Sequence, residues 1–359
     1  MDDGDHPRGG AGMKWSLVPA RDFGASSARW DALHVRLKAS PLLASGFVAP
    51  LLAQFGTGRE WLASCEHQGR YVALAIVAPQ GRGSWASFQP PQAPIGLWLQ
   101  EPDADTEALL ATLLGALPGM PLILGLTQCD PALMIRPADT ASTRTLDYID
   151  TARITLDGSF ENYWQGRGKN LRANLKKQRA RLEKDGVATR LEITRDAVGV
   201  EAALRDYGRL ESAGWKAGGG TAVGADNAQG RYYRAMLEDF CARGAGAIYR
   251  YWFDSTLVAM DLCIEDAHQI IVLKTTYDES VAPGLSPALL MREEACRALF
   301  AQRRFERLEF YGKVMEWHTR WTDEIRTLYH VNHYRWPQLA HLHRHLKELA
   351  CTLKTSNKS

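Results

Sequence analysis

At 359 residues the chain is longer than one hydrophobic core ordinarily organises, so two domains are expected. Its 45% hydrophobic and 23% charged residues exclude wholesale disorder. The net charge of +2 hides one local excess, because residues 167–184 carry eight Lys or Arg against Glu183 alone. The opening MDDGDHPRGG is acidic and lacks a basic stretch leading into an apolar run, so no secretory signal is expected and residues 1–13 are read as disordered. No apolar run reaches spanning length, which predicts no membrane insertion and a cytoplasmic location. Six cysteines without a C-x-x-C pair read as reduced, packed thiols, and no metal is expected.

From Lys14 the chain offers a short strand and then helical patterns around Ala28–Leu37 and Ser45–Phe55. Two β-like runs, Trp61–Glu66 and Tyr71–Val77, flank His67-Gln68-Gly69-Arg70 and predict a hairpin. Three prolines within residues 90–94 make that stretch a loop. A helix is expected over Thr106–Leu117 and a buried strand over Pro121–Leu126. The polar, turn-rich residues 137–150 place a domain boundary near Asp150, giving domains 14–150 and 151–353 with a disordered tail at 354–359.

The second half opens at Ser159 as an N-cap and continues into a basic helix with Leu171, Leu175 and Leu182 on one face. After a helix near Arg231–Arg243, three strands follow: Ala247–Phe253, Thr256–Ile264 and His268–Tyr277. Ser286-Pro287, a cap followed by proline at the first helical position, opens a helix to about Arg303. A strand over Arg307–Tyr311 ends at Gly312. The first half repeats a hairpin, loop, helix, strand order, which suggests a divergent duplication.

Three segments carry a resemblance: FENYWQGRGKNLRANLKKQRARLEKDG (160–186), ESAGWKAGGGT (211–221) and LKTTYDESVAPGLSPALL (273–290). They resemble the BioF2-like or CelD-like branch of the GNAT acetyltransferases, which is related to the Fem peptidyltransferases. SPLLASGFVAPLL and FQPPQAPIGLW in the first half are similar to a subgroup of the same family. The resemblance implies an α/β (α+β) fold of tandem GNAT-like domains, each a mixed, mostly antiparallel sheet flanked by helices. It also implies acyl transfer from acetyl-CoA or another acyl-CoA to an amine or hydroxyl, in exopolysaccharide or envelope pathways. The broad GNAT signature has Gln or Arg before a Gly-x-Gly/Ala loop. Here Ala282-Pro283-Gly284-Leu285-Ser286-Pro287-Ala288 stands in its place.

Pyrophosphate binding needs amides that no helical carbonyl has claimed, and a helix start supplies them with the positive dipole end. The expected cofactor residues are Gly284 and Leu285 in the loop, with Ser286, Ala288 and Leu289 as amide donors. An ordinary helix start that binds nothing explains the same residues. Direct acyl transfer also needs a base for the acceptor and an acid for the thiolate. The candidates cluster after two strands: Lys274, Tyr277 and Asp278 at one, Glu316 and His318 at the other. Trp215 and Lys216 are candidates for an acceptor pocket, and Arg172 and Lys176 of the basic helix for a phosphate-bearing one. A solvated helix face explains the basic residues equally. The acceptor is expected to be a small molecule, saccharide or peptide. The alternatives are Fem-like transfer from aminoacyl-tRNA, and an inactive module binding a sugar-nucleotide or nucleic acid.

Overall fold

Strands and helices contribute about equally among the described residues. The computed structural model describes residues 12–213, 223–224 and 227–342. They fall into two compact units, one formed by residues up to Ile149 and from Thr327 onward, the other by Asp150–Arg326. No helix among the described residues is long and apolar enough to cross a membrane. The five described cysteines are buried and unpaired.

The first unit contains β1 (Lys14–Pro19), α1 (Ser27–Arg36), α2 (Ser45–Phe55), β2 (Trp61–His67), β3 (Arg70–Gly81), β4 (Ser84–Ser87), β5 (Trp98–Gln100), α3 (Thr106–Ala116) and β6 (Ile123–Cys129). The β2–β3 turn closes with Gln68 and Gly69 both at positive φ, as a two-residue hairpin loop requires. Strands β1 to β4 pair antiparallel in order, with β5 on β3. β4 then pairs parallel with β6, and the intervening segment contains α3.

The second unit contains α4 (Phe160–Gln165), α5 (Lys169–Lys184), β8 (Thr189–Thr194), α6 (Val200–Ala213), α7 (Ala228–Ala242), β9 (Gly246–Phe253), β10 (Thr256–Glu265), β11 (Gln269–Tyr277), α8 (Pro287–Gln302), β12 (Arg307–Phe310) and α9 (Glu316–Thr319). Strands β8 to β11 pair antiparallel in order, and β11 pairs parallel with β12 across α8. The element order of the first unit therefore recurs. Each unit is a mixed, mostly antiparallel sheet flanked by helices, so the fold class is the α/β arrangement expected.

Two long strands carry the chain between the units. β7 (Thr143–Thr155) pairs through Ala152–Thr155 with β12, and β13 (Ile325–Tyr334) pairs with β6. Beside the expected domains of 14–150 and 151–353, the compact units divide at Asp150 and again at Thr327. Residues 327–342 belong with the first unit, because the hydrogen-bond ladder of β13 runs along β6.

In the second unit, Leu171, Leu175 and Leu182 of α5 join Leu290, Met291, Cys296, Leu299 and Phe300 of α8 in one core beneath the sheet. Burying such a side chain stabilises by roughly 1.5–3 kcal/mol, which seats both helices firmly. That seating positions the site described next.

Candidate functional site

β11 and β12 are hydrogen-bonded over only four residue pairs, from Gln269–Arg307 to Val272–Phe310. Beyond that point β11 continues to Tyr277 on β10 alone, while β12 ends at Phe310. The β10–β11 register skips Leu273, passing from Leu262–Lys274 to Cys263–Val272, so a β-bulge sits where the parallel strands part. A bulge adds local twist and bends its strand. The resulting gap holds a cavity of about 700 Å³, bounded by the end of β11, the start of α8 and the segment after β12.

All five expected catalytic residues, Lys274, Tyr277, Asp278, Glu316 and His318, line this cavity. Their environments differ. His318 is 6% exposed, stacks on Trp317 and accepts the Met315 backbone N–H at Nδ1 (2.9 Å). Burial first, and the nearby Arg292 charge, push its pKa down to about 4. The imidazole is therefore neutral near pH 7. With Nδ1 accepting, its proton sits on Nε2, which makes it a donor rather than a base. Glu316 is 83% exposed and hydrogen-bonded to Arg320 at 2.8 Å, which holds its carboxyl below the usual range. Asp278 is a turn residue whose Oδ1 accepts from the backbone and hydroxyl of Ser280. Tyr277 is exposed at the rim. Lys274 is mostly buried, and its Nζ donates to Glu211 of α6 (3.2 Å) and Gln229 of α7 (3.4 Å).

Of the expected cofactor residues, Leu285, Ser286, Ala288 and Leu289 line the cavity and Gly284 lies beside them. The expectation of three unclaimed amides needs correcting. The Ser286 N–H donates to Gln178 Oε1 of α5 (2.7 Å), and the Leu289 N–H donates to the Ser286 carbonyl (3.0 Å). Both are satisfied because buried Gln178 reaches the loop and the first turn of α8 is tight. Gly284 has φ +87°, a left-handed conformation natural to glycine.

Arg172 and Lys176 do not line the cavity, and the Arg172 Nε donates to the Arg167 carbonyl instead. Trp215 and Lys216 lie outside the described residues. The basic helix spends much of its charge internally. Arg179 pairs with Glu293 and Glu294 of α8, and Arg181 donates to the Pro283 carbonyl at 2.8 Å. Among the described residues no group of three His, Cys, Asp or Glu could hold a metal ion.

The corresponding place in the first unit is chemically different. The start of α3 borders a cavity of about 670 Å³, but Asp105 caps the helix by accepting from the Ala108 N–H, and Glu107 stands in the first turn. Two carboxylates at the positive dipole end oppose an incoming phosphate.

Residues 169–319, less than half of the chain, match the family described as acetyltransferase (GNAT) domain. No curated protein sequence matches. Solved structures share the fold at low identity. A domain (DUF2156) from Agrobacterium fabrum, assigned provisionally to the C-terminus of a lysylphosphatidylglycerol synthetase, is 13% identical with TM-score 0.55. The likeness covers 86% of this chain and 92% of that one. FemX is 9% identical with TM-score 0.55, over 88% and 98% of the two chains. A protein of unknown function from Bacteroides thetaiotaomicron is 10% identical with TM-score 0.52, over 85% and 96%. The GNAT match spans α5 to α9, and therefore every element bordering the cavity.

Three residues near this cavity escaped the sequence reading. Arg181 approaches the loop, with Nη1 3.6 Å from where a Gly284 Cβ would stand, so α5 supplies a cation that the loop itself lacks. The basic run was its signal, but not which member of the run faces the loop. Arg292, 4% exposed, reaches the gap from α8 and pairs with buried Asp261 of β10 at 2.7 Å. Glu211 stood inside a quoted segment, and its burial and its contacts with Lys274 and the Val223 backbone are visible only in the fold.

Proposed function

We propose that the second unit is an acyl-CoA-dependent acyltransferase that passes an acetyl or longer acyl group directly to an amine or hydroxyl. The observation that carries this is the parting of β11 and β12 at the Leu273 bulge, directly in front of the α8 N-terminus. An extended thioester arm fits between strands whose edges have lost each other as partners, because it can use the backbone groups left over. The pyrophosphate would meet the Ala288 amide, the α8 dipole and the Arg181 guanidinium. The neutral His318, with its proton on Nε2, would donate to the thioester oxygen or the leaving sulfur.

Membership of the BioF2-like branch and a role in exopolysaccharide or envelope synthesis belong to the same proposal, with a saccharide or peptide acceptor and a cytoplasmic setting. The aminoacyl-tRNA alternative relied on the basic helix. The engagement of Arg179 and Arg181 with α8 and its loop supports it less.

Titration calorimetry with acetyl-CoA tests the reading. The parent protein should bind it, and Arg181→Glu should weaken binding by about tenfold through loss of a charge-assisted phosphate contact. Unchanged affinity in that variant would remove the pyrophosphate from the α8 N-terminus.

A further inference from the structure

Neighbouring residues of β11 point to opposite faces of the sheet, and they meet different partners. Thr275 faces α8, where its hydroxyl donates to Asp261 at 2.5 Å beside Arg292. Lys274 lines the cavity, yet its ammonium lies on the other face between α6 and α7. There it meets Glu211, whose side chain is 1% exposed against 18% for Lys274. The rings of Tyr207 and Tyr233 lie 5.9 and 5.6 Å from Nζ. Burial first, and the Glu211 charge second, raise both phenols above their ordinary pKa, so neither competes for the proton. Glu211 is itself held in place, since its Oε2 accepts the Val223 backbone N–H at 2.7 Å.

Desolvation works against the charged forms of a buried lysine and carboxylate, while their mutual attraction and shared hydrogen bond work for them, so a proton between the two groups answers to small changes around it. We propose that Lys274 and Glu211 act as a proton-transfer pair, with Lys274 as the base for the attacking group and Glu211 as the residue that positions and deprotonates it. The inference rests on the acyltransferase reading. It names a base for that reading, which neither the donor His318 nor the exposed Glu316 supplies.

Nζ passes one proton along its hydrogen bond to Glu211 Oε1, leaving a neutral amine beside a carboxylic acid. The acceptor nitrogen or oxygen forms its bond to the thioester carbon while Nζ takes its proton. The carbon–sulfur bond breaks, and its electron pair leaves with sulfur. One proton then passes from the pair to the thiolate, and ammonium and carboxylate are restored. Among the described residues, the groups that approach Nζ include Glu211 and Tyr207 from α6 with Gln229 and Tyr233 from α7. Asp261 and Arg292 occupy the opposite face.

The test uses the full chain and acetyl-CoA, with thiol release followed when water or a primary amine attacks. Lys274→Arg keeps the charge but cannot lose its proton near neutrality. Thiol release should fall by at least about a hundredfold at every pH, while acetyl-CoA affinity stays within about threefold of the parent. Glu211→Gln should lose about as much near pH 7 but regain about tenfold per pH unit towards pH 10, as solvent takes the lysine proton instead. A merely structural role predicts rescue by arginine and no such slope. Lys274→Arg retaining most of the parent rate, or a flat Glu211→Gln profile, overturns the pair while leaving the acyltransferase reading intact. Failure of the parent to bind acetyl-CoA overturns that reading, and the pair with it.

Discussion

His318 takes its chemical character from one backbone hydrogen bond and from burial. The Met315 amide occupies Nδ1, and the stacked Trp317 excludes water from one ring face. Its folded pKa of about 4 lies below the unfolded value near 6.5, so the unfolded chain binds the proton first as pH falls. The stability tied to neutral His318 is complete above pH 6.5 and is lost progressively down to about pH 4. It amounts to at most about 3 kcal/mol. Thermal melts of the parent and of His318→Gln at pH 7 and pH 4.5 check this, with the variant expected to show the shallower acid loss. An equal loss in both would remove His318 as the titrating group. Gly284 shows a different limit of single-residue reasoning. Any side chain there strains a backbone at φ +87°, so a loss of affinity on substitution would not by itself report on phosphate, and Arg181→Glu is the cleaner probe.

At the scale of elements, α8 serves as both core and wall. Its apolar side faces the sheet, while Arg292 extends to the gap and neutralises Asp261 in the middle of β10. Burial raises the Asp261 pKa, and the guanidinium opposes that. Removing one partner leaves the other charge buried and unpaired. Arg292→Met should therefore destabilise by about 3–5 kcal/mol, and Asp261→Asn in the same chain should recover most of the loss. Urea unfolding of the parent, the single variant and the double variant decides this. A double variant no more stable than Arg292→Met would mean that the pair is not coupled. α5 carries a parallel lesson. Its seven basic residues read in sequence as the solvated surround of an apolar face, yet Arg179 and Arg181 are committed to α8 and its loop. Periodicity reports which side of a helix is apolar. It does not report which charged residue finds a partner more than a hundred positions away.

For the chain as a whole, the strand pairings decide what can fold alone. The fragment 14–150, the natural cut on sequence grounds, lacks β13 and leaves one edge of β6 without its ladder partner. It also exposes a row that includes Leu124 and Leu126. Asp150–Arg326 keeps every strand that pairs with β11 and β12. The shorter fragment is expected to lack a cooperative melt by circular dichroism, and Asp150–Arg326 to melt cooperatively and bind acetyl-CoA. A cooperative melt of 14–150 would contradict the role given to β13. The sequence left β13 unseen after Gly312, and it treated residues 137–150 as a boundary although β7 begins at Thr143. The reason is the same for both strands. β7 is largely polar and partly exposed, and β13 mixes Arg, His and Asn with its buried Leu328, Tyr329 and Val331, so no continuous apolar run marks either strand.

Local chemistry written in order along the chain settled a great deal. The three strands from Gly246 to Tyr277, the Ser286-Pro287 helix start and the cluster of candidate residues at the ends of β11 and β12 all follow from neighbours a few positions apart. Tertiary structure alone decided which of those residues have which chemistry. Gln178 claimed the Ser286 amide, Arg181 came to the loop, Met315 set the proton of His318, and Glu211 met Lys274 across 63 positions. Hydrogen bonds and desolvation act through space over a few ångströms, and only the folded chain fixes which distant residues lie within that reach.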